Sequence, residues 1–310
     1  MRALMTRRLV LVTGKGGVGK STCATALAIA AAREGKRVLL CELGVQAVAP
    51  ELLGGEAGSH VPHRPLPQHM PGLWLSHLDA HQALQAYLRE HLKSSMLVQF
   101  ATNNRVLARL WKAAPSVNEM SLLNALYSHM GEKGRLGKHR FEQVIVDMPA
   151  TGHTLAMLGV PRGILGMVRV GSLARRARDV DALLHDETQS AICIVTLAEE
   201  LPVNESVELA QRLAQQLDMR PSHVFINCVM PELFSDVERR LLERLSCQVA
   251  PGPGRHLLDV ADEGERRRRL QKARIDELQG LIDARFVEIL YRDGDGMNLV
   301  EGIADRLMAA

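Results

Sequence analysis

Apolar positions along the chain form two patterns, short continuous runs and helix-spaced repeats, and the two patterns alternate. Continuous aliphatic runs are typical of parallel strands that are buried on both faces. They predict strands at residues 9–12, 37–43, 73–78, 141–147, 191–197, 222–227 and 285–290. Helix-spaced segments, such as 21–33 and 205–217, lie between them. Strands that alternate with helices imply right-handed parallel crossovers, so we expect an α/β fold with a doubly wound, mainly parallel sheet.

Residues 80–131 interrupt this alternation with a longer helical stretch. Its apolar spacing predicts helices at 81–92, 96–111 and 118–130, which we interpret as an insertion within a single domain covering residues 1–310. The stretch is rich in leucine and methionine, namely Met96, Leu97, Leu107, Leu110, Met120, Leu122, Leu123, Leu126 and Met130. A flexible methionine-lined surface suits apolar protein clients, whereas an internal helical core or a subunit contact is the alternative.

Composition and charge exclude several classes of protein. The 310 residues carry a net charge of +3 and only 3% aromatic residues, which argues against a base-stacking surface for nucleic acid. Five cysteines form no CxxC pair, which favours a reducing, cytoplasmic location over a disulfide framework. Because every apolar tract is too short to span a bilayer, we expect no stable membrane insertion. The run ERRRR at 265–269 begins a charged helix reaching about residue 281, either a solvated face or a docking surface for an acidic partner.

A glycine-rich loop after the first strand carries the strongest chemical signal. Gly14-x-x-x-x-Gly19-Lys20-Ser21 fits the P-loop pattern, with a strand before it and a helix after it. Glycines let backbone N–H groups turn towards phosphate oxygens, and the following helix presents its positive end to the anion. Lys20 is predicted to reach the β- and γ-phosphates of ATP, and Ser21 to bind Mg²⁺. The predicted nucleotide-binding residues of the loop are Gly14, Lys15, Gly16, Gly17, Val18, Gly19, Lys20, Ser21 and Thr22.

The segment FEQVIVDMPATGHTL, residues 141–155, is a second candidate site segment. Its apolar strand ends in Asp147, which places a carboxylate beside the phosphate loop, where it can hold the hydration shell of Mg²⁺. The residues PATG that follow are predicted to form a flexible turn whose amides sense a γ-phosphate, with Gly152 as the predicted contact.

Four segments together resemble one family of P-loop ATPases. GKGGVGKST resembles the deviant loop with a second lysine, and DMPATGHTL resembles switch II of the family that contains the arsenite-pump (anion-transporting) ATPase and the tail-anchored-protein targeting ATPase. EELPVNE at 199–205 and NCVMPE at 227–232 are similar to two further motifs of that family. The resemblance implies a P-loop NTPase fold, ATP and Mg²⁺ as cofactors, and catalytic roles for Lys15 and Lys20. It also implies that Lys15 crosses a dimer interface to the partner's nucleotide and that Asn227 reads the adenine edge.

The sequence departs from that family after the second predicted strand. The family has an aspartate there that positions the attacking water, and RVLLCELGVQ places Gly44 at that position. Loss of such a carboxylate should slow hydrolysis by about 10²–10⁴-fold unless Glu42, two residues earlier, substitutes for it. The scattered cysteines also lack the family's metalloid-binding cluster and its CxxC zinc clamp, which argues against arsenite transport and against a zinc-held dimer.

These residues lead to three functional hypotheses. The first is a Mg-ATP-dependent switch ATPase that forms a homodimer, or a heterodimer with a related ATPase chain, and engages a protein client through residues 80–131. The second is a non-hydrolysing regulatory subunit that binds ATP and pairs with a second ATPase chain. The third is a small-molecule kinase or synthetase on the same fold, for which the sequence offers no acceptor pocket.

Overall fold

One sheet of eight strands forms the centre of the fold. The computed structural model describes residues 1–43, 47–54, 64–65, 70, 72–91, 115–133 and 137–309. The strands are β1 (Leu9–Gly14), β2 (Val38–Leu43), β3 (Arg64–Pro65), β4 (Leu73–Leu78), β5 (Gln143–Asp147), β6 (Ser190–Leu197), β7 (His223–Val229) and β8 (Arg285–Leu290). Their order is β3-β4-β2-β5-β1-β6-β7-β8, and all pairs are parallel except β3 with β4.

Helices cover both faces of this sheet. They are α1 (Arg2–Met5), α2 (Lys20–Arg33), α3 (Ala49–Leu52), α4 (Ala80–His91), α5 (Pro115–Gly131), α6 (Thr151–Met167), α7 (Ser172–His185), α8 (Glu200–Arg212), α9 (Asp236–Gln248), α10 (Pro253–Leu281) and α11 (Gly296–Ala309). A π-helical turn, Leu213–Leu217, follows α8 directly. Across the residues that the structure describes, no helix is both long enough and apolar enough to pass through a bilayer.

Alternate residues of the central strand β1 face two separate apolar cores. Leu9 and Leu11 pack into the core that contains residues of α5 to α8 and α10, whereas Val10 and Val12 pack into the core that contains residues of α2 and α11. This follows from the strand period of two, because successive side chains point to opposite faces of a sheet. Helix α2 is built largely of small buried residues, which lets it lie close to the sheet.

The predicted sheet is confirmed, and the prediction of one helix start was wrong. All seven predicted strands are present, with ends shifted by one or two residues at most, and the sheet is doubly wound. The charged helix begins at Pro253 and not at Glu265. Proline fits the first turn of a helix because its missing N–H is not needed there. Leu257 and Val260 are exposed in this first part, so no buried apolar stripe marks it in the sequence.

The predicted helical insertion is described in part. Helices α4 and α5 pack against each other, and the predicted helix at 96–111, with Met96, Leu97, Leu107 and Leu110, lies outside the described residues. Four of the remaining residues that suggested a client surface are buried in the core, namely Met120, Leu123, Leu126 and Met130. These four residues are therefore part of an internal core, which was the alternative to a client surface in the sequence analysis.

Candidate nucleotide-binding site

Glycines at both ends of the phosphate loop allow it to pack tightly against the neighbouring strands. The loop leaves β1 at Gly14 and enters α2 after Gly19. A Cβ atom on Gly14 would lie 2.1 Å from the carbonyl oxygen of Val195 in β6. A Cβ atom on Gly19 would lie 2.3 Å from Nδ2 of Asn227 in β7, and φ of Gly19 is +89°, in the left-handed region. Glycine is therefore required at both positions by packing, independently of any ligand.

The middle of the loop faces open space instead. A Cβ atom on Gly16 or Gly17 would meet no described atom within 4 Å. Helix α2 begins directly after the loop and has no acidic residue in its first turn. The free amides of a helix N-terminus attract anions, and here no carboxylate of that turn competes. The loop thus forms an open cradle with the electrostatic character that a phosphate requires.

Lys20, Ser21 and Asp147 form a cluster at the base of this cradle. Ser21 Oγ donates a hydrogen bond to Asp147 Oδ2 at 2.5 Å, and Lys20 Nζ donates to the carbonyl oxygen of Lys15 at 2.9 Å. Burial raises the pKa of Asp147, and the Ser21 hydrogen bond and the Lys20 charge oppose that rise. Burial likewise lowers the pKa of Lys20, which the Asp147 charge opposes.

The donor atoms of this cluster fit a magnesium ion. Asp147 Oδ1 is buried, and no hydrogen-bond partner for it exists among the described residues. A carboxylate oxygen of this kind is incomplete in the free protein, because buried polar atoms are normally paired. Together with the Ser21 hydroxyl it supplies the oxygen ligands, direct or through water, that Mg²⁺ prefers. The residues predicted from the sequence to bind the metal, Ser21 and Asp147, are thus brought together.

Lys15 reaches away from this cluster to helix α8. Its Nζ lies 2.8 Å from Glu205 Oε1, and the two side chains are 29% and 32% exposed. An ion pair this exposed contributes about 0–1 kcal/mol to stability, so it can be exchanged for another partner at little cost. The pair connects the GKGGVGKST loop with the EELPVNE segment. The sequence analysis singled out both segments but did not predict that Glu205 contacts Lys15.

Gly152 lies within the first turn of α6, which begins at Thr151. The prediction of a flexible turn through PATG was therefore wrong in its second half. The amides of His153 and Thr154 donate to the carbonyl oxygen of Ala150, which starts the helix. An amide in the first turn of a helix is still free for an anion. The contact of Gly152 with a γ-phosphate stays a prediction.

Two buried hydroxyl groups tie the start of α6 to the end of β1. Thr154 Oγ1 donates to the carbonyl oxygen of Pro149 at 2.7 Å and lies 2.9 Å from Thr13 Oγ1, which donates to it in turn. Both threonine side chains are fully buried. This hydrogen-bonded chain fixes the position of the PATG segment relative to the phosphate loop.

Glu42 is engaged by backbone amides near the site. Its Oε1 accepts hydrogen bonds from the amides of Val48 and Ala49 at 2.6 and 2.7 Å, at the N-terminus of α3. Burial raises the pKa of Glu42, and these two amides oppose the rise. Gly44, at the position of the family's water-positioning aspartate, lies outside the described residues. The contacts of Glu42 give it a structural role that competes with the positioning of water.

A cavity of about 570 Å³ adjoins the phosphate loop at the carboxyl ends of β6, β7 and β8. Asn227 borders it, and its Nδ2 donates to the carbonyl oxygen of Val18 at 3.0 Å. Asn227 therefore supports the loop from the side of the cavity. Its contact with adenine stays a prediction. Arg267 and Tyr291 also line the cavity, and the sequence analysis did not predict either of them at the site.

The chain is similar to one protein family and to several ATPases from other organisms. The model of the anion-transporting ATPase family matches residues 7–172 and 167–250. ATPase BagA from Mycobacterium tuberculosis is 31% identical over 240 residues, which cover 72% of this chain and 66% of that protein. An arsenical pump-driving ATPase from Escherichia coli is 27% identical over 203 residues, which cover 65% of this chain and 31% of that protein.

A more distant relative agrees with these matches. ATPase ARSA1 from Chlamydomonas reinhardtii is 22% identical over 288 residues, which cover 76% of this chain and 37% of that protein. The chain thus spans just under two thirds of its mycobacterial relative and about a third of the other two. The family match includes the phosphate loop, Asp147 and Asn227, the same residues that the fold assembles around the open cradle. The chain therefore belongs to the anion-transporting ATPase family.

Proposed function

We propose that this chain is a Mg-ATP-dependent switch ATPase. The observation that carries the proposal is the pairing of Ser21 with Asp147, which leaves the buried Asp147 Oδ1 without a hydrogen-bond partner among the described residues, beside an open glycine cradle. The loop amides and the N-terminus of α2 would hold the β- and γ-phosphates. Ser21 and, through water, Asp147 would hold Mg²⁺, which when bound neutralises charge on these phosphates.

The two lysines have different tasks in this proposal. Lys20 would exchange the Lys15 carbonyl oxygen for phosphate oxygens of the nucleotide in its own chain. Lys15 would exchange Glu205 for the nucleotide of a second chain, a homodimer partner or a related ATPase, when the two sites meet. A charge delivered only on closure stabilises the transition state of phosphoryl transfer as an arginine finger does. Water would then attack the γ-phosphate directly.

The proposal includes a protein partner or apolar client engaged through the helical segment at residues 80–131. Helix α5 of this segment packs against α6, the helix that begins at the PATG segment. A displacement of α6 would therefore act on α5. The proposal places this switch in the cytoplasm, in keeping with five unpaired cysteines.

The proposal is tested by Mg-ATP binding and single-turnover hydrolysis, with Lys20→Ala as the blank. We expect micromolar or tighter binding by the unaltered chain and binding that is weaker by about 10²-fold or more by the variant. Failure of the unaltered chain to bind Mg-ATP would overturn the proposal. Binding without hydrolysis would direct attention to the second candidate function.

The second candidate is a regulatory subunit that binds ATP without hydrolysing it and pairs with another ATPase chain. It is favoured by the two amide hydrogen bonds that engage Glu42, because they compete with its use in place of the missing aspartate at Gly44. Coexpression with the related ATPase chain encoded nearest to it tests this candidate. Co-purification of the two chains, with turnover that depends on Lys15, would support it, and turnover by this chain alone would exclude it.

A further inference from the structure

Residues 148–178 carry the whole positive excess of the chain. This segment contains no lysine, aspartate or glutamate, and its neighbours in the sequence are Asp147 and Asp179. It contains five arginines, namely Arg162, Arg169, Arg175, Arg176 and Arg178. Because the net charge of the chain is +3, the residues outside the segment together carry −2. The positive charge is therefore concentrated on α6 and the first half of α7, two consecutive helices that pack against each other.

Two of these five arginines are used inside the protein. Arg162 Nε lies 3.4 Å from Asp181 Oδ1, and the guanidinium carbon of Arg176 lies 4.9 Å from the centre of the Tyr127 ring. The other three are Arg169, Arg175 and Arg178. All three are exposed and make no ion pair with any residue that the structure describes. Their charges are therefore available to an external anion.

The connection between α6 and α7 is apolar as well as exposed. Residues 166–172, here called the α6–α7 turn, are all exposed, and they include Met167, Val168 and Val170. In the part of the chain that the structure describes, Val170 is the most exposed large apolar side chain, at 81%, and Met167 is 75% exposed. Single apolar side chains are common on protein surfaces, whereas a contiguous group of them marks a binding surface.

The unpaired arginines lie around this turn. Arg169 is part of it, and the carbonyl oxygen of Arg169 accepts a hydrogen bond from the guanidinium group of Arg178. Arg175 lies three residues before Arg178 on the same side of α7, whereas Ala174 and Ala177 lie on the buried side of that helix. Cationic and apolar side chains are thus presented together on one exposed surface.

We propose that the α6–α7 turn binds the surface of an anionic lipid bilayer. The three apolar side chains would enter the boundary between headgroups and acyl chains, and the three unpaired arginines would lie at the level of the lipid phosphates. Arginine suits this place, because its apolar stem can lie along the turn while its guanidinium group binds phosphate. A bilayer accepts such a turn without a matching shape, whereas a stable protein partner needs a complementary surface of roughly 800 Å².

The binding is peripheral and reversible, since it uses only a short turn and a few charges. Each arginine close to an anionic surface raises the partition coefficient about fivefold, and the effect weakens with added salt. The inference goes beyond the proposed function and does not depend on it, because no residue of the turn belongs to the nucleotide-binding site.

The test measures the partition of the purified chain between buffer and vesicles by co-sedimentation. Vesicles of phosphatidylcholine mixed with phosphatidylglycerol supply the anionic surface, and vesicles of phosphatidylcholine alone are the neutral comparison. We expect partition into the mixed vesicles to be about 10²-fold stronger than into the neutral ones, and to fall as salt is added.

A first variant removes charge from the turn. Arg169→Gln combined with Arg175→Gln should weaken binding to the mixed vesicles about 20-fold, from about fivefold for each arginine. The matched control is Arg240→Gln combined with Arg244→Gln, because these two arginines of α9 are exposed and make no ion pair with any described residue. The control should bind the mixed vesicles as the unaltered chain does.

A second variant removes apolar surface from the turn. Val170→Ser should weaken binding to the mixed vesicles about tenfold, because contact with the acyl chains is lost. Val237→Ser is the matched control, since Val237 in α9 is 76% exposed, and it should leave binding unchanged. All variants should keep the thermal unfolding midpoint and the Mg-ATP affinity of the unaltered chain, which verifies that they fold.

Three results would overturn the proposal outright: no binding to the mixed vesicles, equal binding to both kinds of vesicle, or equal losses in variants and controls. Two further results would overturn it by assigning the turn to another occupant. Binding of soluble polyglutamate in place of vesicles, unchanged in Val170→Ser, would point to an acidic protein. Self-association that sedimentation detects and Val170→Ser removes, without vesicle binding, would point to a second copy of the chain.

Discussion

The two lysines of the phosphate loop are five positions apart, yet they lie in opposite surroundings. Lys20 is turned inward, bonded to the loop's own backbone and close to the buried carboxylate of Asp147. Lys15 is paired at the surface with Glu205 on another element. One lysine therefore belongs to the phosphate loop and its buried carboxylate, and the other to a contact with a second element that can be exchanged.

In the proposed function, this difference lets one loop serve two nucleotides. The inner position is complete within one chain, because strand β5, the loop and helix α2 bring its groups together. The outer position is satisfied by an ion pair that contributes about 0–1 kcal/mol, which a phosphate can replace. Four substitutions test this difference between the two lysines, and their expected effects decrease in the order given below.

Lys20→Ala should remove the lysine that is proposed to bind the phosphates of the nucleotide in its own chain. Because charge-assisted hydrogen bonds to phosphate are lost, we expect the affinity for Mg-ATP to fall by about 10²-fold or more. Titration with a fluorescent ATP analogue measures this affinity. An affinity within a factor of two or so of the unaltered chain would show that Lys20 does not face the phosphates.

Lys15→Ala should separate turnover from binding. A charge supplied in trans acts only on closure, so we expect hydrolysis to fall by about 10²-fold or more while the affinity of a single chain stays unchanged. Turnover per site is measured as a function of protein concentration, and dimerisation by sedimentation. Unchanged turnover and dimerisation together would contradict the role in trans.

Asp147→Asn should remove the magnesium dependence of ATP binding and stabilise the free protein. Burial raises the pKa of Asp147, so its ionised form is costly in the folded state and stability rises as the pH falls through that pKa. The neutral amide removes this cost and keeps an acceptor for Ser21. We expect the unfolding midpoint at neutral pH to rise by about 1–3 °C. Scanning calorimetry at several pH values measures whether the unaltered chain becomes more stable as the pH falls, and whether this pH dependence disappears in the variant.

Glu205→Gln should have the smallest effect of the four substitutions, and it should raise the affinity for ATP, which Lys20→Ala lowers. Without its carboxylate partner, Lys15 can approach the phosphates of the nucleotide in its own chain. At protein concentrations too low for dimerisation, we therefore expect the affinity for ATP to rise about threefold. Glu208→Gln is the matched control, because Glu208 pairs with Arg212 on the same helix. The idea fails if the gain persists when Lys15 is also replaced by alanine.

The sequence predicted the sheet and the inner half of the site because both depend on local patterns. A parallel strand buried on both faces must be a continuous apolar run, and each such run became a strand. The phosphate loop and the strand that ends in Asp147 are likewise contiguous segments, and parallel strands bring their carboxyl ends to one edge.

The outer half of the site depends on contacts that no local pattern reveals. Lys15 and Glu205 are 190 positions apart, and either one alone is an ordinary surface charge. Arg267 stands among similar arginines in the sequence, and only the packing of α10 in the fold shows that it lines the cavity. The start of α6 at Thr151 was missed because the segment PATG is rich in turn-forming residues, whereas the hydroxyl bond that ties the start of the helix to Thr13 depends on β1.

The hydroxyl chain from Thr13 through Thr154 to Pro149 would make the response of α6 to a nucleotide all-or-none in the proposed switch. Moving the helix by about 1 Å would break both bonds and leave two buried hydroxyl groups unpaired, at a cost of about 1–3 kcal/mol each. Small displacements are therefore resisted, and a ligand must supply more than this energy before the helix shifts. In the proposed switch, α6 would therefore occupy one of two discrete positions, and the segment packed on it would receive a binary signal rather than a graded one.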